Sequence, residues 1–419
     1  MVFRESVTAI ANHREPQRQL DIPGGTRLVQ IFPHMSHTML NSTWATRGWT
    51  FQEGFLPRRR LIFTDQQVAF LCNEMYCAES VRQPLQTVSY TGNRPFLAMI
   101  PSATGSSIFP PILEQIATYS TRLLSYDSDA LNAILGSLTS SYNDRASISH
   151  LCGVPVLTWF SRDGSRHIQH IGLEWRHDNP ARRRQAFPSW SWVGWEGPVN
   201  FIGESTPGHE FEDIQAQDDQ GHLFSLQRCS VAEMRSHESG RSMNSTGTYL
   251  YLTGTVVELK FATFDWDVTD VKPTTELRYF SHVKGWREES EVIETYRKSG
   301  LHCVFTLSNN ITALAPVFLD GSQLPEANCL GLVLPGWDGP GEFWGHQSVI
   351  ILNQRDDFYE RIGIVVARHE IPTSRRRGSS GPATTTYVDG AHNVLDKVTI
   401  REEDHVWLNK GEVRTIKLG

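Results

Sequence analysis

Apolar and polar positions alternate with different periods along the chain, and the periods predict its elements. Trp44, Gly48, Gln52 and Phe55 fall on one helical stripe, and Ala45, Trp49 and Glu53 on the adjacent one. Asn41-Ser42-Thr43 can cap this helix, because a short side-chain oxygen accepts an orphan N–H of the first turn, and Pro57 stops it. Gly48 inside a helix costs about 1 kcal/mol against alanine, which close approach by another backbone or a bulky ring would offset. A hairpin follows: Leu61 and Phe63 alternate with less apolar neighbours, 64–67 can turn, and Val68, Phe70 and Cys72 alternate again.

Ile112, Leu113, Ile116, Tyr119, Leu123 and Leu124 predict a second helix, and Ala130, Leu131, Ile134, Leu135 and Leu138 a third. Asp127 and Ser128 are suitable caps for the third, and Asp129 suits the positive end of its dipole. From Tyr249 the runs become strand-like: 249–260, 303–307, 329–334, 348–352 and 360–366, bounded by turn residues, predict a mostly antiparallel β region. Residues 1–40 are polar and irregular, with 1–12 expected to be poorly anchored. Loop or linker composition marks 91–111, an exposed excursion is expected over 204–246, and 374–386 is a low-complexity segment expected to be nicked first by protease. The fold class expected is α+β, with boundaries near residues 90 and 200.

Specific motifs sit on this pattern. Trp44, Arg47-Gly48-Trp49-Thr50 and Gln52-Glu53, then Arg58-Arg59, Phe63, Cys72 and Glu79, resemble the last signature block of the fungal heterokaryon incompatibility (HET) domain, roughly W-x-x-R-G-W-T-x-Q-E followed by R-R-x-x-x-F and C. Pro23-Gly24 is similar to a step that often precedes that block. Tyr119-Ser-Thr-Arg122, Leu124, Asp129-Ala-Leu-Asn-Ala133 and Gly136 resemble the stretch that follows it in many members, continued by Gly153-Val-Pro155, Leu157, Trp175 and Pro188-Ser-Trp-Ser-Trp192. Arg361-Ile-Gly363 and 414–418 look like strands near the C terminus of such proteins. The family's N-terminal blocks are missing, so the resemblance implies a truncated HET (TIR-like α/β) remnant over 1–90. A helical linker region ending in the Pro-Ser-Trp-Ser-Trp motif (91–200) and a β-rich C-terminal region (201–419) would follow. Either a lost 5′ part of the gene or a natural fragment would account for the truncation.

Composition narrows the function classes. With 39% hydrophobic and 20% charged residues the chain is globular. Its net charge of −7 argues against nucleic acid as a partner. Arg182-Arg183-Arg184 and Arg375-Arg376-Arg377 are read as solvated surface. Six cysteines are scattered without zinc-ligand spacing, which favours buried thiols in a reduced, cytoplasmic chain. No apolar run is long enough to span a membrane, and no motif calls for a metal or a cofactor.

The chemistry is sparse. Glu53 lies one turn beyond Trp49, and an apolar ring beside a carboxylate makes it the candidate general acid or base. The competing reading, a structural contact of Glu53 with Arg47 or the backbone, is preferred. In the Pro188–Trp192 motif, alternation in an extended segment puts Trp190 and Trp192 on one face, as a structural clasp between the helical and β parts. The signature residues are therefore Trp44, Arg47, Gly48, Trp49, Gln52, Glu53, Pro188, Trp190 and Trp192. Trp49→Ala is expected to lower stability by roughly 3–5 kcal/mol, as for a large buried ring.

The resemblance implies a role in non-self recognition leading to regulated cell death, with protein partners. Its fold-level relation to TIR domains implies an alternative, an NAD glycohydrolase, with NAD bound only if the N-terminal blocks are present. A non-functional remnant is the third reading.

Overall fold

The computed structural model describes residues 2–4, 17–32, 35–72, 76–79, 109–139, 142–143, 146–160, 166–202, 213–217, 221–226, 249–263, 277–279, 300–306, 312–326, 329–334, 347–367, 383–388, 394–400 and 410–419. They divide into two compact units, Met1–Ser141 and Tyr142–Gly419. The two stretches read together as 91–200 thus part company: the helices belong to the first unit and the Pro-Ser-Trp-Ser-Trp motif to the second.

Among the described residues the first unit holds five short helices, α1 (Met35–Leu40), α2 (Thr43–Thr46), α3 (Thr50–Phe55), α4 (Phe109–Ser120) and α5 (Asp129–Thr139). The single helix expected after Asn41 is two, α2 and α3. Ser42 caps α2, its hydroxyl accepting from the Ala45 N–H at 3.3 Å, and the chain leaves helical geometry at Arg47. The cause is tertiary. The Gly48 N–H donates to the Leu123 carbonyl at 2.8 Å and the Leu123 N–H donates to Thr46 at 2.6 Å, forming a parallel bridge. A bond to a distant segment has replaced a bond along the helix.

The predicted hairpin is present, Arg59–Phe63 pairing antiparallel with Val68–Cys72. Its buried face is the opposite of the one expected. Arg60, Ile62, Ala69 and Leu71 point inward, and Ile62, Ala69 and Leu71 pack with Met39 and Trp44. Both faces of this hairpin carry apolar residues, so alternation does not select between them, and the Met39–Trp44 surface does. Arg60 is accommodated by donating to the Phe55 carbonyl at 3.0 Å. Val2–Arg4, within the segment expected to be loose, pairs in parallel with Leu61–Phe63. Gln19–Ile22 and Thr26–Val29 form a separate exposed hairpin that turns through Gly24 and Gly25, both at positive φ.

In α4 and α5 the predicted apolar stripes are buried at Ile112, Leu113, Ile116, Tyr119, Ala130, Leu131, Ile134 and Leu138. Leu123 is not part of that face: its side chain is exposed, and its backbone makes the bridge.

The second unit is sheet-rich and mostly antiparallel. Ala146–Leu151, Val154–Phe160 and Arg166–Ile171, with the short Tyr142–Asn143, build a four-stranded antiparallel sheet where a helical region was expected. The larger sheet has eleven strands. Tyr249–Leu259 pairs with Cys329–Leu334, which pairs with Gln347–Gln354, which pairs with Tyr359–Ala367. The last strand, Glu412–Leu418, runs antiparallel to Tyr249–Leu259 and meets Tyr359 through Leu418, closing these five strands into a ring.

Residues 348–353 are buried on both faces, which is why Val-Ile-Ile-Leu reads as a continuous apolar run. Asp213–Gln217 and Leu223–Ser225 extend the sheet within the stretch read as an excursion. Ile214 and Ala216 supply its buried face, masked in the sequence by Asp213, Gln215 and Gln217. Within 374–386, residues 374–382 lie outside the described residues, and 383–386 belong to the strand Ala383–Val388, paired with Val394–Ile400. Residues 375–377 and 91–108 also lie outside them, and 109–111, the end of the stretch expected to be a linker over 91–111, open α4.

Candidate functional site

Two clusters gather the residues singled out above, one in each unit. In the first unit, α2 and α3 converge on Arg122, which lies just beyond the end of α4. Its guanidinium lies 5.0 Å from the Phe51 ring centroid and 5.7 Å from that of Trp44, and donates to the Arg47 carbonyl at 3.2 Å and to Thr50 Oγ1 at 3.0 Å. Burial pulls the guanidinium down to about 10. Aromatic faces and oxygen acceptors thus stand in for a carboxylate around this buried cation.

Each signature residue has a place around it. Trp44 is half-buried against the Met39 cluster, and its ring fills the space beside Gly54. A Cβ on Gly48 would run into the Leu124 side chain and lie 3.4 Å from the Leu123 carbonyl. The Gln52 amide donates to the Asn132 carbonyl, and Gly136 leaves room for Gln52 and Leu56. Arg47 is exposed and contributes its backbone. Glu53 is half-buried in the first turn of α3, and among the described residues no ion pair joins it to Arg47.

Trp49 corrects an expectation. It is 46% exposed, and its Nε1 donates to Asp129 Oδ2 at 3.0 Å. The ring is a strap across the start of α5, not a core residue. Trp49→Ala is therefore expected to lower stability by only about 1–2 kcal/mol, a half-buried ring and one charge-assisted hydrogen bond. Urea denaturation checks this, and a loss above about 3 kcal/mol would restore the core placement.

In the second unit, Pro188–Trp192 forms a compact turn rather than an extended segment, running into the 3₁₀ turn Trp192–Gly194 with Ser191 as its cap. Trp190, Trp192 and both serines are buried, so no face is left for alternation to present. Ser191 Oγ donates to the Cys152 carbonyl at 2.5 Å, and Trp192 Nε1 to the Gly153 carbonyl at 2.8 Å. Ser189 Oγ accepts from the Arg361 N–H at 2.9 Å and donates to the Gly419 carbonyl. The Pro188 carbonyl accepts from the Ser191 N–H at 3.2 Å. What the motif fastens are β elements of the second unit: the hairpin at Cys152-Gly153, the strand carrying Arg361 and the chain end.

Beside the motif lies a buried polar hub that sequence reasoning missed. Arg361 and Asp320, both fully buried, pair at 2.8 Å. Arg361 also donates to the carbonyls of Leu173, at 2.7 Å, and Trp175, and lies 3.5 Å from the Trp175 ring centroid. Burial pushes the Asp320 carboxyl up and the Arg361 guanidinium down, and each group opposes the other's shift. Arg184, read as solvated, is buried here, with its Nη1 donating to the carbonyls of Val193 and Trp195. The available signal was an arginine in the apolar run Arg361–Val366.

His177 packs edge-on against Trp175 at 5.4 Å, and its Nδ1 lies 2.8 Å from the Pro198 carbonyl, which fixes Nδ1 as the protonated nitrogen. Burial pulls its pKa below the ordinary 6.5, against the attraction of Asp320. With the folded pKa below the unfolded one, the unfolded chain binds the proton first. Stability is complete above about pH 6.5 and is lost progressively as pH falls from there toward the lower folded pKa. Denaturation at pH 7.5 and 5.5 should show the loss, and His177→Gln should reduce its slope. An unchanged slope would remove His177 as the cause.

Among the described residues no helix is long and apolar enough to cross a membrane, and no group of three or more histidine, cysteine or acidic side chains could hold a metal ion. No family model, curated protein or solved structure matches the chain.

Proposed function

We propose that the chain is an incompatibility-type protein, acting through protein partners in the cytoplasm to trigger regulated cell death on non-self recognition. The observation that carries this reading is the convergence of two separate motif stretches. Residues 44–53 and 119–136, which resemble consecutive parts of the same family, meet through the Gly48–Leu123 bridge, the Trp49–Asp129 and Gln52–Asn132 hydrogen bonds and the Arg122 cluster. Their residue types are those the contacts require. This supports reading both stretches as one effector module, the surviving part of a TIR-like HET fold.

Inducible expression in a filamentous fungus tests it. The chain should arrest growth and admit a vital dye, and Gly48→Leu, which places a side chain where Leu124 packs, should abolish both. Normal growth on expression of the wild-type chain would favour the remnant reading instead. A fall in cellular NAD preceding death, absent with Glu53→Gln, would move the reading to the glycohydrolase.

A further inference from the structure

A pocket of about 340 Å³ opens beside the Arg361 hub, wholly within the second unit. Its volume is at the small end of the range for ligand sites. Arg182, Arg183 and Arg355 line it together with Trp195, Ser322 and Glu360. Two of these arginines have carboxylate partners: Arg182 meets Glu196 at 2.5 Å, and Arg355 meets Glu360 at 2.6 Å.

Arg183 differs. It is half-buried, and among the described residues no carboxylate pairs with it. Its Nη1 donates to the carbonyls of Arg184 and, at 3.0 Å, Gly194, and its guanidinium lies 5.4 Å from the Trp195 ring centroid. Those contacts fix the plane of the fork and occupy one corner of it. The Nε and Nη2 edge meets no acceptor among the described residues. Two parallel N–H groups on one edge of a guanidinium match two oxygens of a carboxylate or phosphate. Burial pulls the Arg183 guanidinium down while Glu360 and Asp320 pull it back up.

We propose that this pocket binds a small organic anion, its carboxylate or phosphate oxygens held by the Nε and Nη2 edge of Arg183 and its body against Trp195. Arg182 and Arg355 flank the site, but each is neutralised by its own carboxylate, which leaves Arg183 to supply the charge that an anion would meet. This inference stands apart from the cell-death reading and fails or holds without it.

Thermal unfolding and titration calorimetry of the full chain test it, with sodium phosphate and sodium succinate as probes and sodium chloride at matched ionic strength as control. At least one probe should raise Tm saturably, by about 2–4 °C, where chloride does not. Stabilisation by phosphate alone identifies a phosphate ligand, and by succinate alone a carboxylate. Arg183→Gln should weaken Kd by about 10-fold or more, the loss of a bidentate charged contact. Because Arg183 also holds two carbonyls, Ser322→Trp serves as a second variant: Ser322 is an exposed residue of the pocket wall, and filling the pocket should abolish binding without changing the Tm of the free protein. No saturable effect of either probe would overturn the site, as would wild-type binding by either variant.

Discussion

Asp320→Ala should lower the stability of the second unit by about 3–5 kcal/mol, the loss expected when one partner of a buried ion pair is removed. Arg361 is fully buried, and without Asp320 its charge would be left with two carbonyls and the Trp175 ring. The loss is not the worth of the pair. It is the cost of the uncompensated cation, so Asp320→Leu combined with Arg361→Met should fall well short of it. The pair also sits where elements meet: the Asp320 N–H donates to Ile362 at 2.9 Å, and the Asp320 carbonyl accepts from Ala181 at 2.8 Å. Urea unfolding at pH 7 measures both variants. A loss under about 1 kcal/mol for Asp320→Ala would mean the cation finds water or another partner.

Trp192→Ala should be of similar size, about 3–5 kcal/mol, because a 2% exposed indole leaves a cavity that rigid strands cannot close. Part of that loss is polar. Trp192→Phe keeps most of the ring but deprives the Gly153 carbonyl of its donor, and should lose about 1–2 kcal/mol. Equal losses for the two variants would mean the hydrogen bond, not the packing, dominates. A Trp192→Ala loss under about 1 kcal/mol would remove the motif as a fastening for the hairpin at Cys152-Gly153.

Legibility followed the range of the forces involved. The stripes of α4 and α5 were legible because each helix buries one face, and the strands of the β region because central strands are apolar throughout. The break at Arg47-Gly48 was not, since it depends on a bond to Leu123, 75 residues away. Alternation in 61–72 located the hairpin but not its buried face, because both faces carry apolar residues and the inward one includes Arg60, whose Nη2 reaches the Phe55 carbonyl. The sheet over 142–171 was missed. The Pro188–Trp192 motif was legible as important and misread in shape, its serines serving as turn and capping groups rather than as the polar face of a strand. Among the signature residues, Gly48, Gln52 and Trp192 are explained by packing and hydrogen bonding, Trp190 by burial of its ring, and Trp49 by a surface strap. The Arg361–Asp320 hub escaped because its members lie 41 residues apart, Arg361 in the strand Tyr359–Ala367 and Asp320 in the bend just after Thr312–Leu319.

Native-state hydrogen exchange at the amides of Gly48 and Leu123 tests most directly whether the two motif stretches are one module. Both N–H groups donate across the bridge, to Leu123 and Thr46. They should exchange slowly and at matched protection, and Arg122→Ala should release both together. Exchange of either amide at the rate of an open chain in the wild-type protein would contradict the module.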